Sequence, residues 1–204
     1  MENNRLEILI KLIKELHDKI YVTRKSYINA EQRLIKKNSF FQFITVYYSI
    51  VLIFASILNI RLSDSAITSL FLLSSSVAMS LFSLYIISKN ITERHFSFKF
   101  NYIKLHELLD ELDALMYESL SADYPSNNLQ RALNNIKTRY LNVLSSVENH
   151  KTVDYLQFLK DKGEELSKHQ QKLIQRNYWK GKVKELFFIA FPFLAYYILE
   201  VLIS

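Results

Sequence analysis

The sequence predicts an all-α membrane protein: a transmembrane helical hairpin, long cytoplasmic amphipathic helices and a third, C-terminal membrane helix. Three observations predict it. First, Ser39–Ile60 and Ser65–Ser88 carry no charged residue and are separated only by Arg61-Leu62-Ser63-Asp64. Each exceeds the roughly 18 apolar residues that mark a span, enough to cross ~30 Å of hydrocarbon at ~1.5 Å of helical rise per residue. Second, 204 residues hold only two Gly and two Pro, too few for the turns of an all-β fold. Third, heptad-spaced apolar residues flank the hairpin on both sides. Two buried helices of a soluble bundle are the alternative, but too little polar chain remains to cover both all round.

In chain order, residues 4–37 read as one amphipathic helix. Leu6, Leu9, Ile13, Leu16, Ile20, Thr23, Tyr27, Ala30 and Leu34 make a coiled-coil seam. Nothing breaks the helix before Ser39, so it can run on into the first span. In that span Gln42, Thr45, Ser49, Ser56 and Asn59 fall near one face; in the second, Ser65, Ser69, Ser76, Ser80 and Ser83 form a stripe. Small hydroxyl residues let helices pack closely, and the same stripes can line water in an oligomer. Neither span contains an ionisable Asp, Glu, Lys, Arg or His, so a charged relay at the midplane is not expected.

From Lys89 to about Leu120 the spacing of Ile91, His95, Phe98, Tyr102, Leu105, Leu109, Leu112 and Met116 predicts a second long helix. It is expected to pair antiparallel with the first seam. Residues 121–126 form a loop, and 127–148 a helix with Leu129, Leu133, Ile136, Tyr140, Val143 and Val147 on its inner side. Asn149 and His150 mark a break. A last cytoplasmic helix is expected from about Thr152 to Gln175, with Gly163 a weak point. Leu186–Ile203 is apolar apart from Glu200, contains Pro192, and follows Tyr178, Trp179, Lys180, Lys182 and Lys184, an interfacial belt. It reads as a third span, with an interfacial segment as the alternative. The regions are then 1–38, 39–88, 89–185 and 186–204.

Of 26 Lys and Arg residues only Arg61 lies in the hairpin link. The positive-inside rule therefore places the N-terminus and both hairpin ends of a multi-pass protein in the cytoplasm, with Arg61–Asp64 outside. The opening segment is charged and amphipathic, so no cleavable signal peptide is expected. The net charge of +6 suits anionic headgroups. Acidic residues are mixed in throughout, so direct nucleic-acid binding is not expected.

The chain contains no cysteine, which rules out a disulfide, a zinc–thiolate site or a thiol nucleophile within it. Two glycines cannot build a phosphate loop. Asn149, His150 and Asp154 form a cluster that suits helix capping better than catalysis, and the acidic run Glu107, Asp110, Glu111, Asp113 reads as a solvated face. No catalytic residue, cofactor or metal site is expected, and the chain does not read as an enzyme.

The order of these features resembles the SLATT family, the SMODS- and SLOG-associated two-transmembrane effector domains of bacterial conflict systems. The resemblance is carried by the layout and by two local patterns. One is Thr23-Arg24-Lys25 with Ala30, Glu31, Arg33 and Leu34. The other is Tyr140-x-x-x-Leu144, then Glu148-Asn149-His150 and Asp154. The length and the extra C-terminal segment resemble a subfamily that travels with reverse transcriptases. The resemblance implies an antiphage effector of the bacterial inner membrane, held inactive until a reverse-transcriptase or nucleotide-signalling partner senses infection, which then perforates that membrane. A single hairpin encloses no pore, so this function requires a homo-oligomer in the lipid bilayer. The alternatives are a non-toxic adaptor anchoring a cytoplasmic enzyme and a small channel accessory subunit.

Overall fold

The computed structural model describes residues 2–62, 66–119 and 126–203, with the side chains of 2–4, 62, 126, 196 and 199–203 excepted. Part of the hairpin link (63–64), Ser65 of the expected serine stripe and most of the expected loop (121–125) lie outside the described residues. The elements are α1 (Glu2–Leu62), α2 (Ala66–Ser88), α3 (Ile91–Glu118), α4 (Ser126–Ser145), α5 (Thr152–Asp161) and α6 (Lys168–Ile203). No strand occurs among the described residues, and the chain is an all-α membrane protein. The first seam and the first span are one uninterrupted helix, α1. The residues divide into two compact units: a bundle unit (1–33 and 94–174) and an apolar unit (34–93 and 175–204).

In the bundle unit the seam of α1 is the core. Leu9, Ile13, Leu16, Ile20, Tyr27 and Ala30 are buried, as are Phe98, Leu105, Leu109 and Leu112 of α3. Contacts of His17 with Asp113 and of Tyr27 with Phe98 run these helices antiparallel. Leu108 and Leu115 are also buried, on a second face of α3 that the heptad reading left out. That face packs on Leu129, Leu133, Ile136 and Val143 of α4, antiparallel to α3 through Arg139–Glu111 and Ser146–Asn101. The expected two-helix stalk is therefore a three-helix bundle capped by α5, whose Leu156 and Phe158 are buried.

The expected helix from 152 to 175 is two helices. After α5, Gly163 adopts φ +80°, the Gly163 N–H donates to the Lys160 carbonyl (3.0 Å), and the Glu164 N–H donates to the Leu159 carbonyl (3.1 Å). This Schellman closure stops the helix because glycine enters the left-handed region without a Cβ clash. A new start follows at Ser167. Its backbone N–H donates to Gln170 Oε1 (2.9 Å) and its Oγ accepts from the Gln170 N–H (3.3 Å), a reciprocal capping box that opens α6. The apolar C-terminal segment is the continuation of that helix, with Pro192 inside it.

Between α2 and α3 the chain turns at Lys89-Asn90, with Asn90 at φ 46°, a conformation asparagine tolerates better than most residues.

Candidate functional site in the membrane helices

The apolar unit turns its hydrophobic side chains outward. Phe54, Ile53, Leu70, Leu73, Leu81, Leu84, Leu186 and Phe193 are all exposed, and α2 has no buried residue. Among the described residues, α1 and α2 each contain a stretch long and apolar enough to cross a membrane. A soluble core helix of that composition would be enclosed by protein; exposed on this scale, the surface requires lipid. The apolar end of α6 is not one of those two stretches, and its last side chains are outside the described set.

The polar residues of the spans divide into two groups. Thr45, Ser56 and Ser83 are half-buried, and their hydroxyls donate to the carbonyls of Phe41, Leu52 and Met79 within their own helices. Asn59 Nδ2 donates to Ser69 Oγ at 3.0 Å and joins the two spans, with the Asn59 Oδ1 atom left unpartnered among the described residues. Gln42 and Ser49 are exposed, as are Ser76 and Ser80. The half-buried residues of α2 are Thr68, Phe71, Leu72, Ser75, Met79, Phe82, Ser83 and Ile86, and the three-four repeat among them is its packed face. Ser76 and Ser80 lie beside that face. Their hydroxyls donate to Leu73 and Ser76 carbonyls, which leaves the oxygens free to accept from water or meet a cation.

The site also contains residues that sequence reasoning missed. A proline at 192 has no N–H, so the Phe188 carbonyl loses its helical donor. Tyr48 supplies the replacement, its hydroxyl donating to Phe188 O at 2.7 Å, and Tyr47 donates to Ile189 O at 3.1 Å. Around them Phe40, Phe41, Phe82 and Phe188 form an aromatic layer with ring centroids 6.1–6.3 Å apart. Neighbouring-helix hydroxyls that satisfy a proline-freed carbonyl are how such breaks are tolerated in hydrocarbon. The sequence signal was present, two tyrosines in one apolar helix and a proline in another, but only the Ser, Thr, Gln and Asn residues were read as polar.

A second polar cluster lies in the bundle unit and gathers most of the motif residues. Asp154 is 2% exposed, and its two oxygens accept from Arg33 Nε (2.8 Å) and Nη2 (2.9 Å). The same carboxylate accepts the Lys151 N–H at the start of α5, where the helix dipole also favours a negative charge. Asn29 Nδ2 donates to the Asp154 carbonyl (2.9 Å). Six residues before Arg33 on α1, the buried Tyr27 ring meets His150 (5.9 Å) and Phe98 (5.2 Å). Burial pushes the Tyr27 hydroxyl up to about 12, with a contribution from Tyr140, and burial holds His150 below its usual value against the opposing pull of Asp154.

Thr23 donates to Lys19 O, so the 2.9 Å contact with Tyr140 is donated by the tyrosine. Ala30 is fully buried, Arg24 is half-buried with an unpartnered Nε among the described residues, and Asn149 is exposed. With both Asp154 oxygens engaged by Arg33 and the α5 N-terminus, His150 and Asp154 form no acid–base pair. Among the described residues no group of three His, Asp or Glu side chains is placed to hold a metal.

A protein-family model described as SMODS and SLOG-associating 2TM effector domain family 5 matches residues 10–204. The curated proteins and the solved structures compared with the chain give no match. The two lipid-requiring spans and the match over nearly the whole chain agree, and the chain belongs to the SMODS and SLOG-associating 2TM effector domain family 5.

Proposed function

We propose that the chain is a membrane-permeabilising effector of a bacterial antiphage, abortive-infection system, acting as a homo-oligomer in the inner membrane. The observation that carries this reading is the exposure of Ser76 and Ser80 beside the packed face of α2. In lipid, a second copy seated against that side shields the hydroxyls and, in a ring, turns them toward a shared aqueous axis. Family membership supports the effector role. The basic residues at the hairpin ends support a cytoplasmic bundle unit, and the Tyr48–Phe188 contact supports a third membrane-embedded helix at the end of α6. The trigger in this reading is a reverse-transcriptase or nucleotide-signalling partner that engages the bundle unit.

Induced expression of the chain together with its trigger should collapse the membrane potential reported by a voltage-sensitive dye. Ser76→Leu with Ser80→Leu should abolish the collapse while leaving the amount of inserted protein unchanged. Undiminished depolarisation by the double variant would overturn a serine-lined path.

A further inference from the structure

The apolar unit carries a set of cations on one side of its aromatic layer. Helix side chains lean toward the N-terminus and carbonyls point toward the C-terminus. The Phe188 ring meets Phe40 while its carbonyl meets Tyr48, farther along α1, so α6 runs parallel to α1 here. Contacts of Phe41 with Phe82 and of Asn59 with Ser69 run α2 antiparallel to both. Lys36 lies one turn before Phe40, Lys184 one turn before Phe188, and Lys89 two turns after Phe82. Helices α1 and α6 and the turn that ends α2 thus place a lysine on the same side of one ring layer. On α6, Arg176 and Lys180 extend the row backwards at four-residue spacing, ~12 Å from Arg176 to Lys184 along the axis.

These cations are exposed, and among the described residues none of Lys36, Lys89, Arg176, Lys180 and Lys184 is in an ion pair. Acidic side chains described in this unit are Glu93 and Glu185, and Glu185 is taken by Lys182 at 3.0 Å. Beside the α6 row lie Trp179, Val183 and Leu186, all exposed, and the Lys89 ammonium sits 4.7 Å over the Tyr85 ring. Unpaired cations next to an aromatic and apolar strip, at the level where three helices leave an apolar layer, match the headgroup region of a bilayer. We propose that this collar, and the Arg176–Lys180–Lys184 row above all, binds anionic phospholipid headgroups. The proposal rests on the membrane-embedded reading of the apolar unit and names the lipid class it recruits.

Trp179 is the only tryptophan and lies beside the row, so it reports on its lipid neighbours directly. The full chain is reconstituted in phosphatidylcholine vesicles containing a fixed fraction of either brominated phosphatidylglycerol or brominated phosphatidylcholine. Brominated phosphatidylglycerol should quench Trp179 several-fold more strongly, and raised salt should shrink the difference. Arg176→Gln with Lys180→Gln and Lys184→Gln should bring the ratio to about one without loss of helicity or flotation. Lys180→Gln alone should lower it partly, and Lys182→Gln should leave it near wild type. Inorganic phosphate at matched ionic strength should not compete.

Equal quenching by the two lipids, a ratio unchanged in the triple variant, or loss of the preference to free phosphate would overturn the proposal. So would a Trp179 quenched by acrylamide and by neither lipid, which would point to a soluble partner. A chain that floats with vesicles but shows no preference fails this inference alone; one that does not float fails the membrane reading as well.

Discussion

Replacing Tyr48 by phenylalanine removes one hydroxyl and leaves the Phe188 carbonyl, already without a helical donor because of Pro192, unsatisfied in an apolar setting. Hydrogen bonds between membrane helices contribute about 0.6 kcal/mol on average and up to about 1.7 in favourable cases. At 2.7 Å, to a carbonyl with no other donor, this bond belongs in the upper half, about 1–1.5 kcal/mol. Restoring the backbone donor with Pro192→Ala should make the tyrosine dispensable, so that Tyr48→Phe costs about 0–0.3 kcal/mol in that background. The assay is a double-mutant cycle on the full chain in mild detergent, unfolded by graded SDS and followed by helical circular dichroism. Tyr47→Phe is the internal control. Its acceptor, Ile189 O, keeps its regular helical donor, so its cost should be smaller and insensitive to residue 192. Equal costs of Tyr48→Phe in both backgrounds would refute the argument that the hydroxyl compensates for the proline.

Three further outcomes are expected in the bundle unit. Arg33→Ala leaves the Asp154 charge buried and unpaired and should cost about 3–5 kcal/mol in chemical unfolding, with Arg33→Lys rescuing only part because it cannot make both bonds. His150 is held below its ordinary value by burial, so between the two values the unfolded chain binds more protons than the folded one. Its contribution is full above pH ~6.5 and is lost as pH falls through the folded value, so the melting temperature should fall on acidification with a smaller slope in His150→Gln. Gly163→Ala should cost about 1 kcal/mol by the same unfolding assay, because alanine must adopt φ +80° at the end of α5.

Periodicity made the fold class and the first core face legible: seven of the nine α1 seam residues are buried, Leu6 and Thr23 are half-buried, and Ser26, outside the seam, is fully buried as well. It under-read α3, because a seam presumes one partner and Leu108 and Leu115 answer to α4. The break between α5 and α6 was written in the chain as Gly163 followed by Ser167-x-x-Gln170, but apolar spacing across 152–175 concealed it. The pairing of Arg33 with Asp154 was not legible by local rules, since the two sit on separate helices, α1 and α5, with three others between them. The family resemblance drew attention to those residues without saying that they touch. Hydroxyls on aromatic rings were overlooked for a similar reason: Tyr48 reads as apolar until a proline on another helix supplies the acceptor.

Because the chain has no cysteine, a thiol placed at Ser76 or Ser80 is the sole target of a charged, water-borne methanethiosulfonate. Planar-bilayer current through the purified full chain carrying Ser76→Cys is therefore the most direct test of permeabilisation along this face of α2. The account predicts a conductance that falls when the reagent is added, with Ser80→Cys behaving alike and Ala78→Cys, on the opposite side of α2, unaffected. A conductance indifferent to modification at both serine positions would contradict it.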